Sequence, residues 1–347
     1  MESKDKLTQY SHGAGCGCKI SPAILDKMLA GSLNNHYNPN LLVGNEQRDD
    51  AAVLDLGDGT ALISTTDFFM PIVDDAFDFG RIAAVNAISD VYAMGGTPLL
   101  AIAILGWPVD KLSPELAGTV IAGAAEVCKN AGISLAGGHS IDSPEPIFGL
   151  AVNGRVSIKN LKKNGGATPG DVLFLTKGLG VGILSTAQKK NLLLPEHAQT
   201  ALLSMTKLND IGEFLGTLPF VHALTDVTGF GLAGHLTEMM EASNTSALIQ
   251  FNALPLLDRE AIYDYLKKGC IPGGTRRNHA SYGHKIEVSD QDQINIICDP
   301  QTSGGLLIAV DKYKEEQFIQ LVKNKAQMVL EPIGFVIEKE KESVKVR

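Results

Sequence analysis

The sequence predicts a mixed α+β / α/β fold in two parts, on three observations. Strand-like and helix-like segments alternate through both halves. An early pair of apolar strands, AAVLDL and ALIST, is joined by Gly57-Asp58-Gly59, a tight connection that puts a hairpin in the first half. Between the halves, SIKNLKKNGGATPGD (157–171) is rich in Lys, Asn and Gly and reads as a boundary. Layers with sheet on one side and helices on the other are expected, rather than a doubly wound sheet. The expected divisions are a flexible glycine-rich arm at 1–20, an N-terminal domain at 21–157 and a C-terminal α/β domain at 170–347.

Each element has a local reason. Ser21-Pro22 starts a helix, with a hydroxyl at the cap and proline where no N–H is needed, running through Ile24, Leu25 and Met28 to Gly31. The hairpin occupies 51–65. From Gly80 to Met94 the apolar spacing is helical. Leu99 to Leu105 is a strand, Ser113-Pro114 caps a second helix, and Ile133 to Ala136 is a strand ending in Gly137-Gly138-His139-Ser140. Ile147 to Val156 closes the first half. In the second, strands are expected at 172–175, 223–226, 304–310 and 333–336. Helices are expected after Gly178–Gly182, over Gln199 to Phe214, from Leu232 to Ala242 and after Asp311.

Composition narrows the function. With 44% apolar and 20% charged residues in 347, the chain is globular and can bury two cores. A net charge of -9 argues against nucleic acid as the main partner. MESKDKLTQY has no apolar core for a signal peptide, and TPLLAIAILGWP is about half the length of a membrane span, so no membrane partner and a cytoplasmic location are expected. Five widely spaced cysteines suggest no disulfide framework.

The chemistry-bearing residues are acidic and thiol. Asp49-Asp50, Asp67 and Asp226 stand near the ends of expected strands, and Asp90 shares a helical face with Asn86. Converging carboxylates repel unless a cation joins them, and hard oxygen donors favour Mg²⁺. A lone aspartate at a strand end is more often a cap or turn residue, so the set matters more than its members. AGGHS, TKGLGVG and TSGG could offer N–H groups to phosphate, but none matches a P-loop or dinucleotide fingerprint. In SHGAGCGCKISP, Cys16 and Cys18 sit on a loose stretch, followed by Lys19 and a helix start. Both features would favour a thiolate at Cys16. His12, Cys16 and Cys18 could instead bind zinc or form a redox pair, although no fourth ligand is near in sequence. His235, Cys128 and Cys298 read as structural.

Taken together, HGAGCGCKISP, DDAAV, TTDFF, NAISDVYAMGG, AGGHSID, LTDVTGFGLAGH and DPQTSGGLL resemble the selenophosphate synthetase (selenide, water dikinase) family from about residue 11 to the C-terminal region. Aminoimidazole ribonucleotide synthetases and thiamine-monophosphate kinases share the fold and acidic pattern but lack the cysteine–lysine segment. The resemblance implies an aminoimidazole ribonucleotide synthetase-like homodimer whose N-terminal sheets pair into a barrel. It implies ATP and selenide as substrates, with several Mg²⁺ ions. It also implies Asp50, Asp90 and Asp226 as metal ligands, Cys16 and Lys19 as catalytic residues, and nucleotide contacts from Lys19, Gln47, Arg48, Asp49, Asp67, Asp90, Gly138, His139 and Ser140. Two other readings stand beside it: a kinase or ligase of the same fold acting on an organic substrate, and a zinc or redox protein.

Overall fold

The computed structural model describes residues 6–20, 22–29, 38–44 and 48–347. Their first half contains β1 (Leu41–Val43), β2 (Ala52–Asp55), β3 (Thr60–Phe69), β4 (Thr97–Trp107), β5 (Ser134–Asp142) and β6 (Ile147–Ser157), with helices α1 (Pro22–Leu29), α2 (Ala76–Ala93) and α3 (Pro114–Asn130). The strands form one sheet in the order β1-β2-β3-β6-β4-β5. Its pairs are antiparallel except β4 with β5, whose parallel pairing is made possible by the α3 crossover.

Helix α2 is the central pillar of this half. Asp75 caps it by accepting from the Asp78 N–H, and it is buried over almost its whole length, including the polar Asn86, Ser89 and Asp90. Ser113 and Pro114 start α3 as the sequence predicts. The two helices cross in near backbone contact: a Cβ on Gly80 would lie 1.8 Å from the Val120 carbonyl oxygen, and one on Gly123 would lie 2.0 Å from that of Phe77. Only glycine permits this approach.

The second half contains β7 (Val172–Leu175), β8 (Val221–Asp226), β9 (Ser246–Ile249), β10 (Ile286–Glu287), β11 (Leu306–Val310), β12 (Gly334–Ile337) and β13 (Val344–Val346). Helices α4 (Val181–Lys189), α5 (Pro195–Met205), α6 (Ile211–Gly216), α7 (Gly231–Ser243), α8 (Arg259–Lys267), α9 (Gly273–Tyr282), α10 (Gln291–Ile297) and α11 (Glu315–Ala326) accompany them. The sheet order is β10-β13-β9-β12-β7-β11-β8.

Three expectations are corrected. The second sheet is covered on both faces, not one: Leu173, Leu175, Leu307 and Ala309 join the main core, while Val172, Phe174, Ile308 and Val310 join a separate core with Phe318 of α11. Unbroken apolar runs such as VLFL and LLIAV belong to such doubly covered strands. The helix expected over 199–214 is two helices, because buried Asn209 turns its amide onto Ser89 Oγ and the Gly304 carbonyl, each at 2.8 Å. Asp67 does not follow a strand end. It lies inside β3, which stays paired with β6 from Thr60 to Phe69.

The boundary segment is no exposed linker. Lys162 and Asn164 are buried within it, Lys162 donating to the Leu218 and Val221 carbonyls at 2.9 and 2.7 Å. Asn164 N donates to Asp49 Oδ1 at 2.7 Å, tying the two sheets together next to the acidic residues.

Candidate active site

A cavity of about 280 Å³ opens between the two sheets, and Lys19, Asp49, Asp50, Asp67, Asp90 and Asp226 all line it. Each arrives by a different route. Asp50 precedes β2. Asp67 continues the inward positions of β3 that begin with Ala61 and Ile63, at the point where apolar cover gives way to the cavity. Asp90 projects from α2, and Asp226 ends β8, opposite Leu306 of β11. The shared helical face of Asn86 and Asp90 read from sequence is therefore the face turned to this cavity and the loop beside it.

Hydroxyls fix the carboxylates. Thr65 Oγ1 donates to Asp90 Oδ2 at 2.5 Å, and Thr225 Oγ1 to Asp50 Oδ1 at 2.9 Å. Burial first, then mutual repulsion, holds Asp50 and Asp90 well above the ordinary carboxylate range; burial pushes Asp226 up to about 6. Asp50 Oδ2 and Asp226 Oδ2 are buried without a hydrogen-bond partner. Two orphaned, repelling carboxylate oxygens facing one cavity fit hard divalent cations. Among the described residues, however, no three His, Cys, Asp or Glu side chains form a ready metal cage. The protein offers part of a coordination shell, which ligand oxygens would have to complete.

Lys19 Nζ lies 3.5 Å from Asp67 Oδ1. Burial works against its charge, but Asp67, Cys16, Asp90 and Asp226 outweigh burial and hold its pKa above that of free lysine. Its side chain is 37% exposed, so solvent screens part of that attraction and the pair contributes little to folding. Arg48 reaches Glu238 at 3.3 Å across the cavity. His235 accepts from the Thr228 N–H through Nε2 at 3.1 Å and stacks on Phe230; burial pushes its pKa down to about 3, so it stays neutral.

The glycine-rich stretch packs into this site. Gly15–Cys18 forms a 3₁₀ turn, and Cys16 is buried at 1% exposure. Gly15 is left-handed at φ +48°, and a Cβ there would lie 2.5 Å from Thr302 Oγ1. The Cys16 N–H donates to that hydroxyl at 3.0 Å, and its Sγ–H donates to Asn86 Oδ1 at 3.1 Å. Asn86 cannot turn its amide round, because the Ser303 N–H also donates to Oδ1, at 2.8 Å, while Nδ2 donates to Asp67. Cys16 therefore faces an acceptor and is held as a thiol. Burial and Asp67 raise its pKa well above the usual value, and Lys19 only partly opposes them. The thiolate expected from Lys19 and the helix start is not the state this arrangement favours. Asn86→Ala is expected to speed iodoacetamide alkylation of Cys16 at neutral pH at least about tenfold, measured in a Cys18→Ser background. An unchanged rate in a folded variant would contradict the role of Asn86.

Other sequence-stated residues fall elsewhere. Gly138, His139 and Ser140 are not in a turn after a strand; they lie within β5, exposed at the sheet edge and outside this chain's own cavity. Gln47 and the Ser21 cap lie outside the described residues. His12 turns away from the cysteines and pairs with Glu145 at 2.9 Å, and all five cysteines are free. Among the described residues, no helix is long and apolar enough to cross a membrane. Thr65, Thr225, Glu238 and Asn86 were not given site roles from sequence, and Thr302 was read only as part of the TSGG loop. Asn86 carried a signal as a polar residue in an apolar helix.

These features define a class. The chain matches the AIR synthase related protein N-terminal domain over residues 48–156 and the corresponding C-terminal domain over 168–347. The thiamine-monophosphate kinase structure from Stenotrophomonas maltophilia shares the fold, with a TM-score of 0.65 at 20% identity, covering 93% of this chain and 95% of that one. Within that class the chain belongs to the selenide, water dikinase family. It is 60% identical over 332 residues to the selenide, water dikinase of Aeromonas hydrophila, covering 96% of this chain and 95% of that protein. It is 60% identical over 329 residues to that of Yersinia pestis, covering 95% and 94%.

Proposed function

We propose that this protein makes selenophosphate, converting ATP, selenide and water into selenophosphate, AMP and orthophosphate. The observation that carries the reading is the placement of Cys16 and Lys19 against the carboxylate cavity, in a chain with the family kinship just described. A kinase acting on an organic substrate gives Cys16 no task, and a zinc or redox protein gives the carboxylates none.

In this reading Asp50, Asp90 and Asp226 hold Mg²⁺ together with the ATP phosphates. Bound Mg²⁺ would neutralise the triphosphate and make its phosphorus atoms more open to attack. The orphaned oxygens of Asp50 and Asp226 support this assignment. Asp67 and Lys19 lie at the phosphates, with Arg48 and Asp49 alongside; the family resemblance adds Gln47 as a nucleotide contact. Lys19 stays protonated and stabilises charge as it develops on the transferring group. Cys16 handles the selenium species, and the segment at 1–20 acts as a lid that keeps a reactive anion from bulk water. Domains at 21–157 and 170–347 form the two walls.

A homodimer completes the site. Phe68, Leu100, Ile102 and Ile141 are exposed apolar side chains on β3, β4 and β5, and β5 is an open edge strand. Such a surface is a sticky liability unless covered. A second copy laid against it, sheet to sheet in a barrel, would bring Gly138, His139 and Ser140 toward the partner's nucleotide. A monomer in sedimentation equilibrium at micromolar concentration would refute this.

Lys19 variants test the assignment of charge. Lys19→Ala is expected to lower selenide-dependent AMP formation at least about 100-fold, and Lys19→Arg to restore only part, since the guanidinium keeps charge but not reach or geometry. Wild-type turnover in Lys19→Ala would rule the role out.

A further inference from the structure

The loop that carries Cys16 has a cavity on each side. On the far side from the carboxylates lies a second one, of about 200 Å³, bordered by Gly13, Gly17, Lys189, Arg277 and Thr302. The inner cavity is rich in carboxylates, whereas the outer one has none in its lining; its ionisable side chains are His12, Lys189 and Arg277. Two of these grip the loop. Lys189 Nζ donates to the Gly13 carbonyl at 2.9 Å, and Arg277 Nη2 to the Gly17 carbonyl at 2.5 Å. Each spends one donor on an uncharged oxygen, so its positive charge is not neutralised there and further N–H groups are left over.

Nearby acids do not cancel this. Glu145 is taken by His12 at 2.9 Å, and Asp74 by the Thr8 N–H at 3.1 Å; partial burial lowers the pKa of Lys189, and Asp74, within electrostatic reach, works the other way and favours its charge. Asp299, beneath the pocket, is occupied by the Gly182 N–H at 3.0 Å and Gln301 Nε2 at 2.8 Å, and burial raises its pKa.

We infer that this outer pocket is where a small monoanion is gathered before it meets Cys16, and that in the reaction proposed above the anion is hydrogen selenide. The inference rests on that reaction. Selenide is a monoanion near neutral pH. The inner cavity sets Asp50, Asp67, Asp90 and Asp226 beside Lys19 and Arg48, whereas the cations of the outer pocket, Lys189 and Arg277, share its lining with no carboxylate and attract the anion. An anion bound there sits against the backbone of the loop that holds Cys16 and competes for the two cations that clamp it.

The test is anaerobic steady-state kinetics on Lys189→Gln, Arg277→Gln and Lys189→Arg. Each Gln variant is expected to raise KM for selenide at least about tenfold while KM for ATP stays within about twofold, and Lys189→Arg to recover most of the loss. An unchanged KM for selenide overturns the inference. So does a fall in kcat alone, which would make the cations mere clamps, or a parallel rise in KM for ATP. Should the variants fail to fold, acetylation footprinting of Lys189 in the nucleotide-free wild type decides. Hydrosulfide, the stable analogue, is expected to protect Lys189 and inorganic phosphate to protect it less; no protection, or protection by phosphate alone, overturns the inference. A wild-type protein that makes no selenophosphate at all would instead overturn the parent reading.

Discussion

Replacing Asp50 by Asn is expected to lower selenophosphate formation by at least about 1,000-fold, equivalent to about 4 kcal/mol of transition-state stabilisation. The fold is expected to survive. Asn has nearly the same shape, and its Oδ1 can still accept from Thr225, as Asp50 Oδ1 does at 2.9 Å. What it lacks is charge. In the metal-free protein, Asp50 is buried and repelled by Asp226 and Asp90, and its Oδ2 has no partner. Neutralising it relieves that repulsion, so the metal-free variant should melt no lower than wild type. Mg²⁺ with a non-hydrolysable ATP analogue should stabilise the wild type but far less the variant. Thermal melts with and without the nucleotide complex, beside a turnover assay, separate loss of cation binding from loss of fold. Full turnover of Asp50→Asn at ordinary Mg²⁺ concentration would sink the metal assignment.

Cys16→Ser is the second large effect. Serine fits the same buried space and can donate to Asn86 Oδ1 as the thiol does, so the loop should keep its seat. Its hydroxyl is a far weaker nucleophile near neutrality. Selenophosphate formation is expected to fall at least about 100-fold while binding of the nucleotide changes less than about threefold. Cys18 makes a different contact: its Sγ–H donates to the Gly15 carbonyl at 2.9 Å, closing the turn. Cys18→Ser, whose hydroxyl can make the same bond, should be milder. A more damaging Cys18→Ser would move the handling of selenium from Cys16 to Cys18.

Much of this site was legible because its residues carry local signals. The helix caps at Ser113 and the hairpin at Gly57–Gly59 follow from short-range rules. Asp50, Asp90 and Asp226 stood out as acids in or beside apolar segments, and they share one cavity. Asp67 was misplaced because Thr65-Thr66-Asp67 looks like the polar end of a strand. Its polarity instead reflects a cavity that only the packed sheets create. The caps Asp258 and Asp290, which accept from the Ala261 and Gln293 N–H groups, did announce α8 and α10, though neither helix was read. Strands as short as β10 and β13 carry too few residues for a period to show, and their parallel pairing depends on partners far apart in sequence. The link from Thr302, Ser303 and Asn86 to Cys16 spans more than 200 residues at its widest, and no local pattern encodes it.

The central claim is that Cys16, Lys19 and the carboxylate cavity together transfer phosphate to selenium. Phosphorus NMR of the wild-type protein with ATP, Mg²⁺ and anaerobic selenide tests it most directly. The account predicts a selenophosphate resonance split by selenium-77 in labelled selenide, growing together with AMP and orthophosphate and absent when selenide is omitted. ADP as the final nucleotide product, with no selenium-coupled phosphorus signal, would contradict it.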